Sequence, residues 1–168
     1  MSGWLDAGLW ATIQESVPIA CVDLLALSGT EHPKLGLIFR DTPHEGQRWC
    51  LIGGRILRNE KAHDAVRRHV EETLGPEARC DITGEQPLYV AEYFTDRRSP
   101  LVDPRQHAIA LTYAGILSGD FAPSGEAHRF DWFSPSELPA RDLFGFGQDA
   151  VLDALAPSLG LELGYGRA

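Results

Sequence analysis

Between Gly53 and Gly75 the chain reads GGRILRNEKAHDAVRRHVEETLG. Within this stretch Arg68 and Glu72, and likewise His69, Glu72 and Thr73, stand three or four residues apart and are neighbours on one side of a helix, while Glu71 points roughly a quarter-turn away. Glu60, at the end of the preceding loop, is placed to approach Arg68. A glycine loop leading into such a helix can offer backbone carbonyls and carboxylates to the same metal ion. Hard oxygen donors suit Mg²⁺ or Mn²⁺, which keep several waters and bridge to phosphate oxygens. The chemistry implied is cleavage of a diphosphate.

The elements that must position these groups follow from hydrophobic spacing. Residues 6–16 have helical spacing, and Pro18 then enforces an extended backbone leading into IACVDLLAL, an apolar run typical of a buried strand. KLGLIFR (34–40) and RWCLI (48–52) read as two further strands. Ala62, Ala65, Val66, Val70 and Leu74 mark one face of a helix over 61–74, which Gly75 terminates. Strands are expected at PLYVAEYF (87–94) and HAIALTYAGIL (107–117), joined by the polar segment TDRRSPLVDPRQ, and a short one at HRFDWF (128–133). Ser134, Pro135 and Glu137 have the pattern of a capping box, and a last helix is expected near 148–156. This order predicts an α/β (α+β) fold with a mixed sheet between helices. The expectation is one domain over 1–168, with 1–16 an N-terminal helical segment and 157–168 a loosely held tail.

Composition narrows the partners. Fifteen Lys and Arg against 24 Asp and Glu give a net charge of −9, which opposes non-specific binding to nucleic acid or anionic membranes. An anionic substrate therefore needs a local positive patch or a bound cation. Cys21, Cys50 and Cys80 form no C-x-x-C pair and read as small buried hydrophobes in a reducing compartment. The first residues lack a basic leader, and Asp6, Glu15 and Asp23 interrupt their apolar residues, so neither a signal peptide nor a membrane span is expected. A cytoplasmic location follows as the expectation.

The box residues resemble the Nudix hydrolases. That family carries G-x5-E-x7-R-E-U-x-E-E-x-G-U, with U a bulky apolar residue, and Gly54, Glu60, Arg68, Val70, Glu72 and Gly75 fall in register with it. His69, Thr73 and Pro76 depart from it, and two of these replace acids that in the family ligate metal or serve as base. The resemblance implies a Nudix-type α/β/α sandwich, Mg²⁺ or Mn²⁺ as cofactor, a nucleoside diphosphate derivative as substrate and a homodimer, for which Trp4 and Trp10 are candidates. It implies a metal shell of the Gly53 carbonyl, Glu72 and Glu126, with Glu60 helping through water or through Arg68. Glu126 reads equally well as a solvated loop glutamate.

A closer resemblance is to the GDP-mannose mannosyl hydrolase branch, which shares GGR at the box, lacks the acid after the arginine and keeps one of the paired glutamates. The segment from Pro18 to Asp23 and Arg40 also match that branch, although the retained glutamate is the other member of the pair and His128 is shifted by about one residue. The branch attacks the sugar carbon with a late-loop histidine, which singles out His128 beside Glu126 and His69 as candidate bases, with Arg68 on the box helix. DPRQHAIALTY is similar to a group of Nudix-like proteins without assigned function.

Asp23, in an apolar run, must meet an arginine, Arg40 or Arg55, or face a site and touch a sugar hydroxyl, because an isolated buried carboxylate costs several kcal/mol. Arg40 and Arg55 could clamp a diphosphate. His69 reads as metal ligand, base or packed polar residue. His107 reads as substrate ligand or structural strand-end residue. Two functions remain open: a hydrolase of a nucleoside diphosphate linked to another group, favouring a nucleotide sugar, or a degenerate Nudix fold that binds nucleotide as a sensor or interaction module.

Overall fold

The computed structural model describes residues 5–167. Helix α1 (Ala7–Ser16) is capped by Asp6, whose Oδ1 accepts the Leu9 N–H at 3.0 Å, and none of its residues is buried. Strands β1 (Ile19–Leu27), β2 (Leu35–Thr42), β3 (Gly46–Cys50) and β4 (Ile52–Arg55) precede helix α2 (Ala62–Leu74). Strands β5 (Arg79–Ile82), β6 (Tyr89–Tyr93), β7 (Ala108–Ser118) and β8 (Ala127–Phe133) follow, and α3 (Asp149–Leu159) comes last. Among the described residues no helix is long and apolar enough to cross a membrane.

The sheet is mixed, as the element order predicts. Its axis is the parallel pair β1 and β7, in register from Ile19 opposite Ala108 to Leu27 opposite Ile116. All other pairings are antiparallel: β1 with β4 and β2, β2 with β3 and β8, and β7 with β6 and β5. Strand β1 is buried along almost its whole length, which explains why its sequence is a continuous apolar run rather than an alternating one. Helix α2 buries Ala65, Val66, Val70 and Leu74, the predicted face, and α3 buries Val151, Leu152 and Leu155.

Two neighbouring glycines show which layers lie on which side. A Cβ on Gly54 would sit 2.6 Å from the His69 ring of α2, whereas a Cβ on Gly53 would strike the Val22 carbonyl and lie 2.5 Å from Asp23 Oδ1. Successive strand residues face opposite ways, so α2 and the Asp23 carboxylate flank opposite faces of the sheet.

Four expectations are corrected. The GGR stretch is not a turn: Gly53, Gly54 and Arg55 extend β4 along β1, and the loop begins after them. Glycine reads as a turn former in sequence, but here it is required by close approach. Strand β5 was hidden in polar RCDI, where only backbone pairing to β7 defines it. Pro135–Glu137 forms one 3-10 turn without a side-chain cap, closed by Glu137 N–H on the Ser134 carbonyl at 2.9 Å.

The fourth concerns the tail, which is held rather than loose. Gly164 and Gly166 bracket Leu138 through backbone hydrogen bonds of 2.8 Å each, and Gly164 N–H reaches the Pro135 carbonyl at 2.9 Å. The Tyr165 ring lies 3.8 Å under the Arg141 guanidinium and its hydroxyl donates to Asp153 Oδ1 at 2.9 Å. Truncation after Gly160 should lower unfolding stability by on the order of 2 kcal/mol, the sum of a few lost hydrogen bonds and one aromatic contact. Urea denaturation reads this directly, and an unchanged midpoint would restore the loose-tail expectation.

Candidate functional site

Arg68 is the hub on the α2 side. Its Nε and Nη2 form a fork on Glu60, at 2.7 Å to Oε1 and 2.9 Å to Oε2. Nη2 also donates to the Arg55 carbonyl at 3.0 Å, and Nη1 to Glu72 Oε2 at 3.1 Å. Glu60 Oε2 further accepts the Leu57 N–H at 2.8 Å, so both its oxygens are committed, and Arg68 holds its carboxyl below the usual range. The pair fixes the loop after β4 against the helix.

His69, at a position where the Nudix box has an acid, lies against Gly54 with Nε2 3.0 Å from the Arg55 carbonyl. Burial holds its pKa below the ordinary histidine value, so the ring is neutral and Nε2 must carry the proton it donates. Nδ1 is then an acceptor, 3.7 Å from Glu72 Oε2.

These groups wall an outer cavity of about 1160 Å³, which Trp10, Arg55, Glu72 and Glu126 also line. The Arg55 guanidinium stacks on Trp10 at 4.5 Å, which brings α1 to the mouth. Glu126 is delivered by the loop before β8, anchored to the end of α2 by Ser124 N–H on the Thr73 carbonyl at 2.9 Å and Ser124 Oγ on the Glu72 carbonyl at 3.0 Å. Glu126 Oε2 pairs with Arg40 Nη1 at 2.7 Å.

A second, inner cavity of about 480 Å³ opens on the other face, and the two share Arg40, Gly53, Gly54, Arg105 and Gln106. Small residues, Cys21, Ala108, Ala110 and Gly53, leave its space open. One oriented chain of hydrogen bonds lines it: Leu51 N–H to Gln148 Oε1 at 2.8 Å, Gln148 Nε2 to the Tyr93 hydroxyl at 3.0 Å, and that hydroxyl to Asp23 Oδ2 at 2.7 Å.

A family profile described as Domain of unknown function (DUF4916) matches residues 1–156. The chain belongs to that family. The Low-salt glycan biosynthesis protein Agl8 of Haloferax volcanii is 29% identical over 111 residues, 66% of this chain and 67% of that protein. A solved structure of a possible asymmetric diadenosine tetraphosphate hydrolase from Jonesia denitrificans is 29% identical and superposes with a TM-score of 0.76, covering 87% of this chain and 97% of that one. A bifunctional NMN adenylyltransferase/ADP ribose pyrophosphatase from Francisella tularensis, complexed with AMP and a manganese ion, is 18% identical with a TM-score of 0.64, covering 91% of this chain and 45% of that one. The fold of this DUF4916 chain is thus the Nudix hydrolase fold.

The donor set fits a divalent ion in a restricted way. Among the described residues no three His, Cys, Asp or Glu side chains cluster to hold an ion. Glu72 and Glu126 nevertheless line one cavity, each on an arginine, and Glu72 is half exposed. Mg²⁺ is commonly held by one or two carboxylates together with water and substrate phosphates rather than by an all-protein cage. Two carboxylates and a phosphate-bearing ligand match that pattern.

Of the residues singled out from sequence, Arg40, Gly53, Arg55, Arg68, His69, Glu72 and Glu126 border the outer cavity. Asp23 borders the inner one, and Glu60 acts behind Arg68. His128 is elsewhere: alternation along β8 turns it out to Asp41, 2.7 Å away, while Ala127 points inward. His107 stacks on Phe94 at 4.9 Å outside both cavities. Of the two alternatives for Asp23, an arginine partner or a place facing a site, it takes the second: among the described residues it forms no ion pair, faces the inner cavity and accepts the Tyr93 hydroxyl. Trp4 lies outside the described residues. Arg105, Phe146 and Gln148 are cavity residues that sequence reading missed, the DPRQ segment having looked like a polar connection.

Burial, opposed by the Tyr93 hydrogen bond and by Arg40, pushes Asp23 up from 3.8 to about 6. The folded chain therefore holds this proton more tightly than the unfolded chain. Its contribution to stability is fully present below pH about 4 and is lost as pH rises through about 6. Asp23→Asn, which keeps an acceptor for Tyr93, should abolish this window and exceed the wild type at pH 7 by on the order of 2 kcal/mol. Melting temperatures from pH 4 to 8 test it; parallel curves for the two proteins would refute the assignment.

Proposed function

We propose that this chain is a Nudix-type hydrolase that cleaves a nucleoside diphosphate joined to a second group, with nucleotide sugars as the favoured class and Mg²⁺ or Mn²⁺ as the ion. The observation that carries the reading is the meeting of Glu72 and Glu126, from two separate elements, with Arg40, Arg55, Arg68 and Arg105 around one cavity. Acids for an ion and arginines for phosphate oxygens stand together there, in a chain otherwise strongly negative. The glycan-biosynthesis relative and the structural relative complexed with AMP and manganese support the substrate class and the ion.

An ion held by Glu72, Glu126 and the Gly53 carbonyl would neutralise charge on the diphosphate. The chain's own residues do the rest. Arg68 fixes Glu72 by a bond it can lengthen without losing Glu60, and Arg40 neutralises phosphate charge as Glu126 leaves it. Glu126 is assigned as the base because it lies in the cavity and His128 does not. His69 positions the Arg55 carbonyl and Glu72 instead of moving the reacting proton.

A second reading, a nucleotide-binding module without catalysis, is favoured by one specific observation. Glu72, Glu126 and Glu60 are each already satisfied by an arginine, and acids are missing at His69 and Thr73. A screen of nucleoside diphosphate sugars, dinucleotides and triphosphates with Mg²⁺ and Mn²⁺ separates the two. Hydrolysis should fall on the order of 100-fold or more in Glu72→Gln and Glu126→Gln, with Mn²⁺ affinity by calorimetry falling in the same variants. Turnover of no compound, together with nucleotide binding indifferent to metal, would establish the binding module instead. Product analysis in heavy-oxygen water then distinguishes attack at phosphorus, which labels phosphate, from attack at the sugar carbon.

A further inference from the structure

Arg105 stands at the neck where the two cavities meet, and its surroundings differ from those of an ordinary surface arginine. Asp103, 4% exposed, accepts Arg105 Nε and Nη2 in a fork of 2.9 Å each and also the Arg105 backbone N–H at 3.0 Å. The backbone that carries this carboxylate is fixed, since the Asp103 N–H donates to the Phe94 carbonyl at 3.0 Å and the Asp103 carbonyl accepts Gln106 N–H at 3.2 Å. Nη1 is left without a hydrogen-bond partner among the described residues. Arg105 is partly exposed there.

The guanidinium rests on the Phe146 ring at 5.5 Å, and Arg40 rests on the same ring at 5.7 Å. Phe146 is a fixed support. It is buried, has a left-handed backbone at φ 59°, donates its N–H to Glu45 Oε2 at 2.9 Å and accepts Val102 N–H at 3.1 Å. A non-glycine residue keeps that conformation only where its surroundings impose it. Two cations brought to one ring repel each other unless anions lie beside them. Asp103 neutralises Arg105 permanently, whereas Arg40 relies on Glu126, a partner on an exposed loop.

We propose that Arg105, positioned by Asp103 and Phe146, closes a two-arginine clamp with Arg40 on a diphosphate lying across the neck, and thereby selects ligands with two linked phosphates over those with one. This rests on reading the cavity as a phosphate site. The fork to Asp103 removes the rotamer freedom that binding would otherwise have to freeze, so Nη1 is presented at little entropic cost. A monophosphate reaches one guanidinium; a diphosphate touches both. The chain thus distinguishes the two by geometry, with the ends of the ligand directed into the outer and inner cavities.

The test is binding by calorimetry, with EDTA and separately with Mn²⁺, of pyrophosphate and methylenediphosphonate against orthophosphate, and of ADP, GDP and UDP against AMP, GMP and UMP. The wild type should prefer the diphosphates. Arg105→Ala should weaken them by about tenfold or more and the monophosphates by less than about twofold. Arg105→Lys, which keeps the charge but not the fork, should recover only part of the loss, and Asp103→Asn should fall between. Thermal melts report whether each variant is folded; Arg105→Ala leaves the buried Asp103 carboxylate without its guanidinium and should melt below the wild type, so binding is read at a temperature where every variant is folded. Equal loss for both ligand classes, no loss, or a wild type without diphosphate preference under either condition would overturn the clamp. Because binding is read without turnover, an inactive wild type would refute the hydrolase reading alone. Conversely, intact diphosphate binding in Arg105→Ala beside Glu72-dependent hydrolysis would refute the clamp alone.

Discussion

The Arg68 guanidinium ties together three pieces of chain: the loop carrying Glu60, the end of β4 at Arg55, and Glu72 one turn further along α2. Charge-assisted forks of this kind are short and directional, and they order long side chains that would otherwise sample many rotamers. Burying a guanidinium without such partners would cost several kcal/mol, so the four contacts are mutually dependent. Moving β4 away from α2 would strand Arg68, and the Gly53 carbonyl, the His69 ring and Glu72 would lose their common frame. The glycines make this possible from the other side. Any side chain at Gly54 would displace His69, and any at Gly53 would displace Asp23.

How much of this was readable in the sequence depended on the range of the interaction. Local periodicity placed α2, β1, β2 and β7 closely, because burial imposes a pattern within a few residues. The Glu60 and Arg68 pair was legible for the same reason, being separated by one loop and two turns. Contacts made across the sheet left no local trace. Asp23 finds Tyr93 seventy residues away, and Gln148 reaches back to Leu51 from the start of α3. Phe146 looks from sequence like one aromatic in a glycine-rich connection, and only the fold shows that two arginines use its ring. His128 shows the opposite limit. It neighbours a cavity-lining segment in sequence, but strand alternation turns its side chain outward, and one position decides between site and surface.

On the function proposed above, the distribution of charge lets a chain of net charge −9 receive an anion. Four arginines border the outer cavity, and the four carboxylates that meet them, Glu72 and Glu126 on its wall and Glu60 and Asp103 behind, leave it close to neutral within a strongly negative chain. Both carboxylates on the wall sit on arginines, and each pair is a contact that an ion and a phosphate can exchange: the ion takes the acid and the phosphate takes the arginine. Neither exchange is favourable alone, since removing one partner leaves the other desolvated and unpaired. Taken together, they conserve charge pairing, which on that proposal would couple the binding of ion and phosphate.

The inner cavity follows a different logic. It is bordered by two buried carboxylates, Asp103 held by Arg105 and Asp23 met by the Tyr93 hydroxyl instead of a cation, and every donor in the chain from Leu51 to Asp23 has an assigned direction. Such a network is costly to leave half satisfied, and it specifies orientation more than it supplies attraction. Charge recognition on the α2 side and hydrogen-bond recognition on the Asp23 side are therefore separated by the thickness of one strand. They meet where that strand has no side chains, at Gly53 and Gly54, beside Arg40, Arg105 and Gln106. On the function proposed above, a ligand spanning both is anionic in its middle and carries hydroxyls at its inner end, as a diphosphate bearing a hydroxylated group does.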